Sequence, residues 1–543
     1  MTLLNLTVGE LLEKQVDSFP NQEAVVYPEL NLRKTYREFN NMVNQAAKGI
    51  MALGIQKGEN VAIWADNKPE WITSQFATGK TGAVLVTVNT SYQAKELEYL
   101  LKQSESTTLI MAESYKGTSY LDLINKICPE LEHATKGNVQ SPVLPNLKNI
   151  IVLSDRTFDF AYNWDELLQM GDEVSDESLK NRQKSLDHHD AINMQYTSGT
   201  TGFPKGVMLT HHNIVNNGNQ IADCMKLTND DRLCIPVPFF HCFGCVLGIL
   251  AAVSKGATMV LLEQFEPKGV MKAVSDEKCT GLHGVPTMFI AELNHPEFDT
   301  FDFSNLRTGI MAGSTCPMEV MTKVMDRMGA KEITIAYGQT ESSPVITQTK
   351  TDDPIELKVS TVGKAHPNVE VKVIMPGTEN EQQVGFPGEL CTRGYHVMKG
   401  YYKNEEATRA AIDSDGWLHT GDLAIMHENG YLEITGRMKD MIIRGGENIY
   451  PREIEEYLYQ HPDVLDVQVI GLPDKKYGEE VMAWIILKEG KNTSDEDIRS
   501  FCEGNISHHK IPKHIEFIDE YPMTASGKIQ KFKLKELAIQ HLE

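Results

Sequence analysis

Apolar residues recur at helical spacing through Phe39, Met42, Val43, Ala46, Ala47, Ile50 and Met51, and Gly54 stands where such a helix would stop. A helix is predicted there. Residues 61–64 and 84–88 are short apolar runs, and the stretch between them opens on Pro69, a residue suited to the first turn of a helix. Together these segments predict βαβ units on a mostly parallel sheet. Further β-type runs lie at 109–111, 150–153, 258–262 and 332–336. The last leads directly into Tyr337-Gly338-Gln339-Thr340-Glu341, and in open α/β sheets ligands collect where strands end.

From Gly385 the texture changes to β-type pieces broken by glycine, ending at 431–437. A separate pattern follows Arg437: Ile442 and Ile443, a Gly445-Gly446 turn, a helical segment over 451–459, then strands over 467–470 and 482–487. The expected fold class is α/β. A large composite N-terminal domain over 1–437 carries βαβ sheets and a β-rich subdomain, a short charged link at 438–440 has the look of a hinge, and a small mobile α+β domain follows over 441–543.

The length of 543 residues allows such a division, and 41% hydrophobic with 23% charged residues is the composition of packed cores. The formal charge of −23 opposes attraction to phosphate backbones and anionic lipids, so no nucleic acid is expected as a partner. A small anion in a local basic pocket remains compatible with that charge. No run approaches the roughly 18–20 apolar residues of a membrane span, and neither a basic-then-apolar leader nor a C-terminal address is seen; a cytoplasmic protein is expected. The nine cysteines, odd in number and dispersed, suit a reducing compartment. Cys242 and Cys245 form a C-x-x-C pair, but no second pair accompanies them, so they are read as packing residues.

The strongest local signal is Tyr196-Thr197-Ser198-Gly199-Thr200-Thr201-Gly202-Phe203-Pro204-Lys205-Gly206-Val207. Its glycines allow close backbone approach, its hydroxyls add donors, and Lys205 adds a positive charge, a composition able to wrap polyphosphate oxygens. It is not a Walker loop, because Pro204 stands where the second glycine belongs and Gly206 where a serine or threonine would follow the lysine.

With this loop the chain resembles the adenylate-forming superfamily of acyl-CoA synthetases, luciferases and peptide-synthetase adenylation domains. Further motifs of that superfamily follow in order: Pro238-Phe239-Phe240-His241-Cys242-Phe243-Gly244, Tyr337-Gly338-Gln339-Thr340-Glu341, Gly388-Glu389-Leu390, Trp417-Leu418-His419-Thr420-Gly421-Asp422, Gly436-Arg437-Met438-Lys439-Asp440, Gly445-Gly446-Glu447-Asn448-Ile449-Tyr450-Pro451 and Pro522-Met523-Thr524-Ala525-Ser526-Gly527-Lys528-Ile529. The resemblance spans essentially the whole chain. It implies an enzyme that makes an acyl-adenylate from ATP and a carboxylic acid, with magnesium, and then passes the acyl group to the thiol of CoA.

The same resemblance implies site residues. Thr197, Ser198, Gly199, Thr200, Thr201, Gly202 and Lys205 would hold the β- and γ-phosphates, Thr340 would donate to the α-phosphate, and Glu341 would be the magnesium-associated carboxylate. Tyr337 would lie against adenine, with Gly313 and Ser314 nearby; Asp422 and Arg437 would bind the ribose. Lys528 matches the lysine that bridges the carboxylate and α-phosphate oxygens in the first step. Lys439 falls at the hinge, and Gly445 and Gly446 would leave room for the pantetheine arm of CoA.

Phe239, Phe240, His241, Val285, Met311 and Gly338 form the candidate acyl pocket. Synthetases specific for acetate are similar around Tyr337 but carry a tryptophan after it, so Gly338 is expected to leave space for a longer acid. The run from Ala336 to Pro344 looks most like the medium-chain fatty acyl-CoA synthetases grouped as acyl-CoA synthetase family member 2 and their bacterial relatives. Long-chain and aryl acids stay open as substrates, a carrier pantetheine as the acceptor, and a homodimer as the assembly. A luciferase-type oxygenase and a non-catalytic nucleotide-binding relative are the readings of another class.

Overall fold

The computed structural model describes residues 2–197, 204–314, 316–445, 447–524 and 529–542. The first predicted helix runs Tyr36–Ala52. Thr35 caps it: its hydroxyl accepts from the Glu38 N–H while the Glu38 carboxylate accepts from the Thr35 N–H at 2.8 Å, satisfying two end donors reciprocally. Its buried side contains Phe39, Val43, Ala46, Ala47 and Ile50, the stripe seen in the sequence. Phe39 meets Phe76 of the helix Pro69–Thr81 edge-on at 5.5 Å. That second helix is buried on nearly every side, so its sequence carries no clean amphipathic stripe.

The chain forms two compact units. The first comprises Met1–Val359, Gly363–Glu370 and Arg393–Leu418 and contains two large sheets. In the eight-stranded sheet, Val84–Thr87, Asn60–Trp64, Thr108–Ala112 and Asn149–Leu153 run parallel, and the hairpin Ala191–Thr197 with Lys205–Thr210 extends the sheet to the short edge strand Gly400–Tyr401. In the nine-stranded sheet, Thr258–Leu261, Arg232–Ile235, Gly281–Gly284, Thr308–Met311 and Glu332–Gly338 are parallel neighbours, and Val345–Gln348 pairs back antiparallel on the last. The central strands are wholly buried and read as unbroken apolar runs because helices cover both faces of such sheets. The expected parallel α/β architecture is thus observed, with each predicted strand present to within a few residues.

The second unit comprises Ser360–Val362, Val371–Thr392 and His419–Glu543. It reaches back beyond Arg437: the glycine-broken β pieces cluster with the C-terminal residues, because Val369–Ile374, Pro387–Gly394, Leu418–Met426 and Leu432–Arg437 pair into a four-stranded sheet. A five-stranded sheet follows, built around the long hairpin Val464–Asp474 and Gly478–Leu487. The helix Pro451–Leu458 packs Ile454 and Leu458 against it with Val467, Val469 and Val481.

None of the nine cysteines is in a disulfide; Cys224 is half-buried and the other eight are buried. Cys242 and Cys245 lie in the core at the start of an apolar π-helix, Phe243–Leu250. Among the described residues no helix is long and apolar enough to cross a membrane.

Four histidines of the first unit are buried and held neutral. His211 Nδ1 accepts from the Val8 N–H at 3.0 Å, and His283 Nδ1 accepts from the Ile310 N–H at 3.1 Å. Burial pushes His211 and His396 down to about 3 and His283 and His366 down to about 4, from an ordinary 6.5. Between those values and 6.5 the unfolded chain binds more protons than the folded one, so stability is held above pH 6.5 and lost as pH falls. The expected loss is about 1.4 kcal/mol per pH unit for each histidine across that window. Urea unfolding midpoints measured from pH 7 to pH 5 should fall steadily, and His211→Asn, whose Oδ1 stands where Nδ1 accepts from Val8, should flatten the slope by about one proton. A level profile would contradict this account.

Candidate active site

The hairpin that carries the signature sequence is framed by Ala191–Thr197 and Lys205–Thr210, with Thr197 opposite Lys205. Ser198, Gly199, Thr200, Thr201 and Gly202 lie outside the described residues, as do Gly446 and Lys528. Lys205 is already on a strand, and its ammonium sits 4.3 Å from the centre of the Tyr401 ring. Tyr401 comes from the edge strand, where it stands opposite Val207. Its hydroxyl donates to Glu341 Oε1 at 2.9 Å. Burial, and then the carboxylate beside it, hold this phenol well above its usual range, so it is a permanent donor.

Glu341 follows the strand Glu332–Gly338 on a 3₁₀ turn, Thr340–Ser342. The turn is fixed by polar contacts on several sides. The Gln339 N–H donates to Ser342 Oγ at 3.0 Å, and Ser342 Oγ donates to the Pro344 carbonyl at 2.6 Å. Asn217, from the helix His211–Cys224, accepts from the Val345 N–H at 3.1 Å and donates to the Val345 carbonyl at 2.8 Å. The Met398 N–H donates to the Glu341 carbonyl at 2.9 Å. Thr340 is buried, with its hydroxyl 3.9 Å from the Cys242 thiol. The structure therefore gathers Lys205, Thr340 and Glu341, three of the residues singled out in the sequence, at the strand ends of both large sheets.

Tyr337 stands opposite Thr347 in the strand pair, and Gly313 and Ser314 are exposed in the turn after Thr308–Met311, where Gly313 takes a positive φ of 97°. Gly338 has a further reason for being glycine. A Cβ there would stand 1.8 Å from the Pro344 carbonyl oxygen and 3.0 Å from the Ile346 nitrogen, so the paired backbone itself excludes a side chain. Space for a longer acid is not needed to explain this residue.

The other acyl-pocket candidates are unequal. Phe239 is 1% exposed, its N–H donating to Asn67 Oδ1 at 2.8 Å and its ring edge-on to Trp71 at 5.6 Å, and Met311 is fully buried. Both are core residues in this state. Phe240 and Val285 are buried with slight exposure. His241 is half-buried, and its Nδ1 accepts from the Phe243 N–H at 3.1 Å, which places the ring at the start of the π-helix and its proton on Nε2.

In the second unit Asp422 and Arg437 face each other across adjacent strands, with Arg437 Nε 3.4 Å from Asp422 Oδ1. Asp422 is buried and Arg437 exposed. The turn before Asp422 is held from beneath: the Gly421 N–H donates to Glu389 Oε1 at 3.2 Å, Glu389 Oε2 lies 3.2 Å from His419 Nδ1, and the Asp422 N–H donates to Thr420 Oγ1 at 3.1 Å. Lys439 lies on the 3₁₀ turn Met438–Asp440, between the unit's two sheets, and Arg452 donates to the Ile434 carbonyl on the other side of that turn. Gly445 takes a φ of 61°, its N–H donating to the Tyr477 carbonyl at 2.8 Å.

Two contributors escaped the sequence reading. Tyr401 sits in Lys399-Gly400-Tyr401-Tyr402, which has no spacing that marks it, and only the edge-strand pairing brings it under Lys205. Glu389 was visible as part of a motif, but its hold on Gly421 depends on sheet register.

The AMP-binding enzyme family matches residues 12–402, and the AMP-binding enzyme C-terminal domain matches 453–528. Among curated proteins, the putative acyl-CoA synthetase YngI of Bacillus subtilis is 60% identical over 99% of this chain and 98% of its own length. The mitochondrial medium-chain acyl-CoA ligase ACSF2 of Bos taurus is 42% identical over 99% of this chain and 89% of its own. Among solved structures, the anthranilate CoA ligase AuaEII in complex with anthranoyl-AMP superposes with a TM-score of 0.84 at 27% identity, covering 99% of this chain and 98% of the other. ATP-bound MatB from Rhodopseudomonas palustris gives 0.82 at 26%, covering 98% and 99%. Sequence, fold and the ordered motifs agree, and the chain belongs to the AMP-binding, adenylate-forming family of enzymes.

Proposed function

We propose that this chain is an ATP-dependent ligase that activates a medium-chain fatty acid to acyl-AMP and then transfers the acyl group to CoA. The observation that carries the reading is the grouping of Lys205, Tyr401 and Glu341 beside Thr340 at the strand ends. The relatives named as acyl-CoA synthetase and medium-chain acyl-CoA ligase, at 60% and 42% identity, support the choice of acid and of acceptor.

In the first step a carboxylate oxygen attacks the α-phosphorus of ATP, forming the acyl-phosphate bond and expelling pyrophosphate. Two anions must meet, so fixed positive charge and oriented donors are the whole requirement. Thr197, Ser198, Gly199, Thr200, Thr201, Gly202 and Lys205 take the β- and γ-phosphates, and Thr340 donates to the α-phosphate. Tyr337 lies against adenine, with Gly313 and Ser314 nearby. Asp422 accepts from the ribose hydroxyls and Arg437 donates to the sugar. Lys528 bridges the two reacting anions, an interaction made in the transition state.

Magnesium, when bound, would neutralise phosphate charge. The residues fit it: Glu341 is a hard oxygen ligand with Oε1 already accepting from Tyr401, which leaves its other oxygen for the ion, and magnesium needs few protein ligands when phosphates supply the rest. In the second step the CoA sulfur, its proton lost, attacks the acyl carbonyl and expels AMP. Gly445 and Gly446 leave room for the pantetheine arm, and Lys439 is the pivot between the two steps.

Three measurements check this reading. AMP release with CoA across straight-chain acids from C2 to C16, benzoate and anthranilate should peak at a medium-chain acid; a maximum at acetate or an aryl acid would overturn the substrate. Lys528→Ala should lower acyl-adenylate formation by about a hundredfold or more while thioester formation from supplied acyl-adenylate stays within a few-fold, and equal loss of both would remove the assignment. Gly338→Ala should destabilise the fold by about 2–4 kcal/mol and lower activity toward all acids together. A shift of optimum to shorter acids without loss of thermal stability would restore Gly338 as a simple pocket gate.

A further inference from the structure

The contacts of Tyr401 give it a part in the activity proposed above that no motif assigns. Its backbone is fixed from two sides: it stands opposite Val207, and its N–H donates to Thr408 Oγ1 at 2.9 Å. The next residue, Tyr402, donates its N–H to the Gly206 carbonyl at 2.7 Å. Tyr401 is 7% exposed, so its side chain is packed in place. From there its hydroxyl reaches Glu341 Oε1 at 2.9 Å while its face carries the Lys205 ammonium at 4.3 Å from the ring centre.

We propose that Tyr401 is a positioning residue for the metal–nucleotide complex: its hydroxyl fixes the Glu341 carboxylate so that one oxygen faces a divalent cation, and its ring holds Lys205 apart from that carboxylate until a polyphosphate draws the ammonium away. The inference rests on the ligase reading for the identity of the nucleotide.

Two physical points support it. Tyr401 holds both charges, the Lys205 ammonium over its face and the Glu341 carboxylate at its hydroxyl; released from it, opposite charges on neighbouring strands would be drawn into a direct ion pair, and each would then be spent on the other. The neutral phenol prevents this while satisfying both, by a charge-assisted hydrogen bond on one side and a cation–π contact on the other. Lys205 makes no ion pair among the described residues. Second, a carboxylate with one oxygen committed offers a metal a single, ordered ligand, so less freedom is lost on binding.

The test separates the hydroxyl from the ring. Binding of Mn²⁺ to the ATP complex of the full-length protein is followed by electron paramagnetic resonance, and ATP binding in chelator by calorimetry. Tyr401→Phe should weaken Mn²⁺ binding about tenfold and leave metal-free ATP binding within about twofold, because only the hydrogen bond is removed. Tyr401→Leu should weaken metal-free ATP binding as well, about fivefold, and adding Glu341→Gln should restore it by releasing Lys205. Thioester formation from supplied acyl-adenylate should be unchanged in both single variants.

Wild-type Mn²⁺ binding by Tyr401→Phe overturns the proposal, and so does equal loss of both half-reactions, which would mark a merely structural residue. If Tyr401→Phe does not fold, replacement of Tyr401 by p-aminophenylalanine, isosteric and a weaker donor, decides: Mn²⁺ binding at least about threefold weaker supports the proposal and unchanged binding overturns it. If the wild type catalyses no ATP–pyrophosphate exchange with any acid but Mn²⁺ binding still depends on Tyr401, the ligase reading fails and the role of Tyr401 stands.

Discussion

The first unit depends on one short stretch of backbone that bonds to both of its sheets' functional ends. Met398 donates to the Glu341 carbonyl, Lys399 to the Met208 carbonyl and Tyr402 to the Gly206 carbonyl, all between 2.7 and 3.0 Å. Through this segment the turn after Glu332–Gly338 and the strand after the signature loop are tied together. These residues come from three distant parts of the chain, and backbone hydrogen bonds set their separation more tightly than side-chain packing could. Lys205 and Glu341 both stand on backbone that these bonds tie together.

The chemistry of the gathered charges is one of restraint. Lys205 rests on an aromatic face and Glu341 accepts from a phenol that cannot ionise at ordinary pH. In the second unit, taken by itself, Asp422 and Arg437 meet at 3.4 Å with Arg437 still exposed, the loose geometry of a solvent-screened ion pair. The net charge of −23 describes the whole chain and does not weaken these local arrangements.

Much of the fold was legible because period and propensity agree there. The helix Tyr36–Ala52 showed its stripe, its cap and its stop, and the buried strands showed as apolar runs. What was not legible has local causes. Gly206 and its glycine-rich neighbours make Lys205 look like loop and hide the start of a strand whose edge is set by pairing with Ala191–Thr197. The π-helix Phe243–Leu250 is apolar on all sides and so shows no period at all. Residues 371–392 join the second unit through sheet pairing across a long stretch of sequence, which no local pattern can report. Thr340 and Glu341 stand out in their motif, whereas the close approach of the Pro344 carbonyl to Gly338, a reason for glycine beside pocket space, shows only in the strand pairing.

The burial of the thiols has a practical reach. Eight of the nine cysteines are shielded, and burial pushes the half-buried Cys224 thiol up to about 12, far from the range in which a thiolate reacts. The native protein is therefore close to silent toward maleimide-type reagents. A single cysteine introduced on the surface of each unit could be labelled without removing any natural one, and a pair of fluorophores placed this way would report the distance between the two units in an otherwise unaltered chain.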